Sequence, residues 1–405
     1  MKIKTGEFIA ISACTMMLTA LGIDIMLPVF GEIREHFGLS SSSTATANIV
    51  VFFFLGQVTQ IIFGVLSDRF GRLTIQRIGF PLYIIGGIAA TFAPNLSIMI
   101  VARFIAGMGA SAVLTTMIAG VRDRFSGDQM AKILSLIFTI FLSTPVFAPF
   151  LGLAILSVAS WRMVFLTPVL FAIIAFIWSL RLEESLPKSQ RIVLSARNIL
   201  LSTKAVLSNR VFLRYTAITT ILFAGLSAWV SSSEHIITEI YGKPYLFAWI
   251  FGGIGLLQAF FTLTNSRLSS KFGARPTLRR LLVVYTVIAA CLLASDFVFG
   301  DPPKLPIFVA AVALLLGINL AVEPNSSALA MEPMGRMAGL ASSLYGTSFF
   351  FIGAGLGSVI SMYMKNSVSP IIFSFFTIGI VTLVLAFSDR RPQHVEDKHH
   401  LELKQ

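Results

Sequence analysis

Twelve apolar runs occupy most of the chain, at residues 8–30, 45–66, 78–94, 98–121, 133–156, 163–180, 215–233, 246–264, 281–299, 305–331, 337–362 and 370–387. Each approaches or exceeds the roughly 17–25 residues a helix needs to cross a bilayer core. Backbone N–H and C=O groups cannot go unpaired in hydrocarbon, and a single helix satisfies its own. The sequence therefore predicts an all-α membrane protein with twelve transmembrane helices. Composition agrees, with 56% hydrophobic and only 12% charged residues, against about 25% charged in soluble domains. Mean hydropathy is +0.84. Cys14 and Cys291 both lie within apolar runs, so no disulfide framework is implied.

The net charge of +12 does not indicate nucleic-acid binding, because the cations are sorted by membrane side. Arg34, Arg162, Lys243, Lys304 and Lys365 fall on one side. Arg103 lies inside a run, and all other Lys and Arg residues fall on the other side. By the positive-inside rule the cation-rich side is cytoplasmic, which places both termini there. Lys2 and Lys4 ahead of an apolar run resemble a secretory signal. That run is long and contains Asp24, which favours a first membrane helix.

The polar stretch 181–214 divides the runs six and six. The expected domains are an N-terminal bundle over 1–182, a cytoplasmic linker over 183–214, a C-terminal bundle over 215–388 and a cytoplasmic tail over 389–405. Within the linker, Val193 to Leu207 could form an amphipathic surface helix or a solvated strand of chain. The halves echo each other. Leu66-Ser67-Asp68-Arg69-Phe70-Gly71 follows the second run, and Leu268-Ser269-Ser270-Lys271-Phe272-Gly273 follows the eighth, at an offset of 268 − 66 = 202. Leu151-Gly152 and Leu356-Gly357 form a second echo. Parallel six-helix repeats imply two pseudo-symmetric bundles with a substrate site near the midplane between them.

Arg103 is the one basic side chain inside a run. A guanidinium in hydrocarbon costs at least about 2.5–3.5 kcal/mol, so it marks a charge-handling site or a buried pair. Asp24 is the expected partner. Counted from the outer ends of their runs, the two lie at similar depth, roughly 8–14 Å in at 1.5 Å per residue. Burial favours the protonated form of a carboxylate and a nearby guanidinium favours the ionised form. A carboxylate balanced between these can exchange a proton for a substrate, whereas a static pair would only order the helices. A second acid, Glu323, precedes Pro324 in the tenth run. It could face a cavity or a hydrated mouth. Asp296, Glu234 and Glu332 fall near run ends and read as solvated.

Several motifs bear a family resemblance. Gly64-Val65-Leu66-Ser67-Asp68-Arg69-Phe70-Gly71-Arg72 resembles the signature loop of the major facilitator superfamily. Asp24-Ile25-Met26-Leu27-Pro28 and Arg103-Phe104-Ile105-Ala106-Gly107 resemble elements of its drug:proton antiporters. Pro145, Ala148-Pro149-Phe150-Leu151-Gly152 and Trp161-Arg162-Met163-Val164-Phe165 resemble the bicyclomycin/chloramphenicol resistance branch. The resemblance spans the chain and is densest in its first half.

The resemblance implies a multi-pass protein of the bacterial inner membrane that exports a drug or small metabolite by proton antiport. Asp24 and Arg103 would couple to protons. Gly64, Asp68, Arg69, Gly71 and Arg72 would form a conformational latch, with Asp68 reaching the start of the eleventh helix. Pro145, Pro149 and Gly152 would form the antiporter motif, packed near Gly252, Gly253 and Gly255. Gln57, Trp229, Asn319, Glu323 and Tyr345 are candidates for the substrate cavity wall. Met26 and Ala106 depart from the branch's usual residues. They are expected in the cavity wall, where they would allow a dedicated substrate such as a siderophore or another metabolite. Import, or sensing in a transporter fold, stays open. No metal-ligand cluster, P-loop or nucleophile elbow is present, so the chain reads as a transporter and not an enzyme. It would need no cofactor beyond the proton gradient. Its partners would be a small-molecule substrate, protons and the lipid bilayer, with no nucleic acid, and it would act as a monomer.

Overall fold

The computed structural model describes residues 4–191 and 196–389. It contains twelve helices long and apolar enough to cross a membrane: α1 (Thr5–His36), α2 (Ala47–Phe70), α3 (Arg72–Thr91), α4 (Leu96–Arg124), α5 (Lys132–Leu156), α6 (Trp161–Ser179), α7 (Arg210–Ile240), α8 (Pro244–Phe272), α9 (Ala274–Phe299), α10 (Leu305–Met331), α11 (Gly339–Met362) and α12 (Ser369–Phe387). Several run past the apolar segments read from sequence. Helix α9 starts at Ala274, inside a polar stretch, and α7 runs on to Ile240. Their polar end turns stay helical beyond the apolar stretch.

Two helices change character at one end. In α1 an α-helix over Thr5–Asp24 gives way to a 3₁₀ turn over Leu27–Val29 and a short helix over Phe30–His36. Pro28 sits in that turn, where its missing N–H breaks the α-helical ladder. Helix α7 ends in a π-turn over Ile236–Ile240.

The same packing pattern occurs twice. In the first half α4 packs on α3, α2 and α1, while α1 packs on α5 and α6. In the second half α10 packs on α9, α8 and α7, while α7 packs on α11 and α12. The halves meet where α5 lies on α8 and α2 lies on α11 and α7. With an even number of spans, the start of α1 at Thr5 and the end of α12 at Phe387 lie on one side, called here the terminal face. The opposite side is the distal face. Many large apolar side chains point outward, among them Val158, Trp249 and Phe297, as a lipid-facing surface requires. In the linker, Ala196–Leu207 is helical, while residues 193–195 of the predicted amphipathic stretch lie outside the described residues.

Each half turns from its second to its third helix on a glycine with left-handed backbone, Gly71 (φ +102°) and Gly273 (φ +84°). Only glycine adopts this conformation without steric cost. Past Gly71, the Glu184 carboxylate accepts the N–H groups of Arg72 (2.9 Å) and Leu73 (3.2 Å). A negative charge there meets the positive end of the α3 dipole. The second half anchors its corresponding corner with Asp389. That buried carboxylate accepts a hydrogen bond from the Tyr215 hydroxyl (2.8 Å) and pairs with Arg214 and Arg275 (3.4 Å each). It thereby ties the terminal ends of α7 and α9 to the end of α12. Breaking a buried ion pair costs about 3–5 kcal/mol because the remaining charge is stranded. Asp389→Asn is expected to lower the thermal unfolding midpoint in detergent clearly, whereas Glu35→Gln, at an exposed site on the other side of the molecule, leaves it unchanged.

Candidate transport site

Arg103 emerges from α4 into the first bundle and is buried. Its Nη2 donates to the Gly22 carbonyl (2.5 Å) and its Nε to the Ile49 carbonyl (3.2 Å). The guanidinium lies 4.4 Å from the Phe53 ring centroid. Nearby, the Tyr83 hydroxyl of α3 donates to the Leu18 carbonyl of α1 (3.0 Å). One arginine thus fastens α4 to α1 and α2.

The expected Asp24–Arg103 pair is absent: no ion pair joins them. The reason is azimuth. Leu18 and Gly22 are four residues apart on one helix face. Asp24 is two residues beyond Gly22, and two residues turn a helix by roughly 200°. Asp24 is 5% exposed. Among the described residues no side chain or backbone group bonds its carboxylate. It is the last residue of the straight part of α1.

Helix α5 meets α1 there. A Cβ added to Gly152 would stand 2.1 Å from the Ile25 carbonyl oxygen, so only glycine permits this approach next to Asp24. Pro145 and Pro149 lie inside an α5 helix that continues through both. On the α8 side, a Cβ at Gly255 would lie 3.5 Å from Pro145 Cβ, and one at Gly252 would lie 3.0 Å from the Val146 oxygen. Gly253, grouped with these two from sequence, faces open space. Residues 252 and 255 share a helix face, and residue 253 is turned roughly 100° away.

A second polar group lies in the other half. The Tyr345 hydroxyl of α11 donates to Thr219 Oγ1 of α7 (2.8 Å). Glu323 and Ser327 of α10 lie beside the same hydroxyl. Glu323 itself is half-buried. Phe54 of α2, Phe223 of α7 and Phe349 and Phe350 of α11 form an aromatic cluster across the two halves. Phe223 lies 5.2 Å from Phe54 and 4.0 Å from Phe349, centroid to centroid. A carboxylate and a phenol beside an aromatic wall can hold an apolar molecule that carries hydroxyl or cationic groups.

Trp229 is enclosed, with its ring against Phe308. The Asn319 amide donates to the Leu222 carbonyl (2.7 Å) and clamps α10 to α7. Gln57 lies in a short 3₁₀ turn of α2 that packs on both α4 and α11; it is fully buried, and among the described residues neither of its amide atoms has a protein partner. Met26 and Ala106, expected in the cavity wall, are both buried at helix contacts. The Ala106 backbone packs against Gly86 of α3. Among the described residues, no group of three His, Cys, Asp or Glu residues is placed to hold a metal ion.

Among the described residues, no hydrogen bond or ion pair joins Asp68 to α11. Asp68 pairs with Arg72 (2.5 Å), which also pairs with Asp123 of α4 (3.0 Å). Arg69 lies over the ring of its neighbour Phe70. Gly64 does reach α11, where a Cβ would stand 3.2 Å from Ser343 Oγ. The halves are instead clamped at the distal face. Arg34, in the short end helix of α1, makes a two-pronged pair with Glu234 of α7 (2.9 and 3.0 Å) and reaches Glu239 (3.1 Å). Thr46 adds a fourth contact (3.4 Å). Arg34 and Glu234 are 2% and 3% exposed, so Glu234 is not a solvated helix end. Asp296 is also buried and accepts a hydrogen bond from Ser369 (2.7 Å).

Sequence reading missed the Arg34 clamp, although a signal was present. Arg34 and Glu234 are 200 residues apart, close to the repeat offset. They are opposite charges at equivalent ends of α1 and α7, which the pseudo-symmetry brings face to face.

Comparison with known proteins agrees with this architecture. The Uncharacterized MFS-type transporter YdgK of Bacillus subtilis is 29% identical over 388 residues, covering 93% of this chain and 94% of that protein. The Bicyclomycin resistance protein homolog of Haemophilus influenzae is 29% identical over 394 residues, covering 95% and 96%. The crystal structure of a D-xylose-proton symporter superposes with a TM-score of 0.75 at 14% identity, covering 96% of this chain and 98% of the other. The sequence model of the Major Facilitator Superfamily matches residues 12–358. With twelve membrane helices in two like-packed halves, this chain is a multi-pass membrane transporter for a small molecule and belongs to the Major Facilitator Superfamily.

Proposed function

We propose that this chain is a proton-coupled exporter of a drug or small metabolite, acting by alternating access in the bacterial inner membrane. The observation that carries the reading is Asp24, a buried acid without a counter-charge where α5 presses on the break in α1. An ionised carboxylate buried alone costs several kcal/mol. A proton or a bound cation removes that cost, so the site suits one occupant at a time. Similarity to a bicyclomycin resistance homolog over nearly the whole chain supports export of an antibiotic-like molecule.

In this reading the terminal face is cytoplasmic, because it carries the excess of Lys and Arg. Protons enter from the distal side and neutralise Asp24 as substrate leaves. The halves then rock, the Arg34 clamp closes, and incoming substrate expels the proton to the cytoplasm. Arg103 holds α1, α2 and α4 in place around Asp24 and does not touch it. Glu323 and Tyr345 recognise the substrate's polar groups. One charge returning across 100 mV supplies about 2.3 kcal/mol, with no cofactor and a single copy of the chain.

The test uses everted membrane vesicles with an imposed pH gradient read by a fluorescent dye. Bicyclomycin, chloramphenicol and siderophore-like metabolites serve as probes. At least one probe is expected to collapse the gradient with wild type and not with Asp24→Asn. A gradient unaffected by any probe that the vesicles accumulate would contradict proton exchange.

A further inference from the structure

We propose that the second bundle carries a binding site for one anionic phospholipid, on its outer surface in the leaflet of the terminal face. The site is a groove where α8, α9 and α10 converge, with a cavity of about 130 Å³. Phe261 and Leu268 of α8, Val284 of α9 and Ile318 of α10 line it. The one hydroxyl in its wall, that of Thr277, donates to the Leu268 carbonyl. The exposed surface of the groove is therefore apolar. Phe272 and Val284 are 41% and 49% exposed, so the groove opens outward and not toward the space between the halves.

Its size and chemistry exclude the transported substrate. Drug-sized ligands occupy pockets of about 300–1,000 Å³ with a few placed polar groups. A small, dry, apolar cavity takes a hydrocarbon instead, and the hydrocarbon at this surface is an acyl chain.

The rim supplies the head-group contact. Arg280 lies 4.6 Å from the Phe272 ring centroid and Lys271 lies 5.3 Å from the same centroid. Both side chains are exposed, and among the described residues neither has a carboxylate partner. The neighbouring cations are committed elsewhere. Arg279 donates to the Ala386 carbonyl (3.2 Å) and to the Asp389 carbonyl, and Arg275 pairs with the Asp389 carboxylate. Two free cations thus sit at the end of an apolar groove near the membrane surface. A basic pocket between membrane helices on this kind of face suits an anionic head group.

The experiment is native mass spectrometry of the whole protein in detergent with an equal mixture of phosphatidylglycerol and phosphatidylethanolamine of matched chains. Wild type is expected to retain one phosphatidylglycerol in preference to phosphatidylethanolamine. The pair Arg280→Gln and Lys271→Gln should weaken retention by roughly 25-fold, about fivefold for each cation removed. Val284→Trp, which fills the groove and keeps both charges, should also abolish retention. Arg77→Gln, an exposed cation elsewhere on the terminal face, should not change it. Equal retention of both lipids overturns the proposal. So does retention that survives Val284→Trp or the double glutamine variant, or a loss as large in Arg77→Gln.

Discussion

Replacing Arg34 with alanine is expected to open the distal face of the transporter. In the structure this guanidinium neutralises Glu234 and Glu239 together and joins α1 to α7. Its removal leaves two buried or half-buried acids facing each other across no counter-charge. Stranding one member of a buried pair costs about 3–5 kcal/mol. Here the molecule can relieve that cost by separating the halves, which hydrates both acids. At about 1.4 kcal/mol per factor of ten, the balance moves by roughly 10²-fold to several thousand-fold toward the distal-open state. Spin labels at Ser41 and Lys243, both exposed on that face, would read the change, with Cys14 and Cys291 replaced by serine. The distance distribution should lengthen in Arg34→Ala. It should shorten again when the charges are exchanged in Arg34→Glu with Glu234→Arg. A distribution unchanged in Arg34→Ala would show that apolar packing closes this face and the ion pair is incidental.

The second large effect lies at Gly152. A side chain there cannot be accommodated by a rotamer change, because the atom it meets is the Ile25 backbone oxygen, 2.1 Å from the added Cβ. Either α5 or the break in α1 must move, and Asp24 moves with the latter. Overpacking of this kind costs typically about 1–3 kcal/mol. Gly152→Val is therefore expected to reduce transport by roughly 10- to 100-fold while the protein still inserts and purifies. Gly253→Ala is the matched control, since nothing lies within 4 Å of its added Cβ. Activity retained in Gly152→Val and lost in Gly253→Ala would reverse the assignment of which glycines couple α5 to its neighbours.

The membrane helices and the repeat were legible in the sequence because both depend on one-dimensional properties. An apolar run either reaches across a bilayer or does not, and Gly71 and Gly273 mark the same turn in each half. The partners of buried charges were less legible, because depth along a helix says nothing about azimuth. Arg103 and Asp24 lie at matching depth, yet the arginine meets the Gly22 face of α1. The same gap explains Gly253, which shares a short glycine-rich stretch with Gly252 and Gly255 but not their face. Charges at helix ends were misread for another reason. A terminal Glu looks alike in sequence whether water or Arg34 satisfies it. Only the repeat offset linking Arg34 to Glu234 distinguishes the two, and it becomes meaningful once the halves are known to face each other. Asp389 lies in what reads as the start of a polar tail, so its burial against Arg214, Arg275 and Tyr215 has no local signal.

In the proposed cycle Asp24 keeps its proton until substrate binds and gives it up then. Purified protein in weakly buffered detergent solution tests this directly when a probe found active in vesicles is added and released protons are measured with a pH dye. Wild type is predicted to release protons on binding, and Asp24→Asn is predicted to bind the probe and release none. Equal release from the Asn variant would contradict the assignment of Asp24 and move the proton to another acid, with Glu323 the next to test.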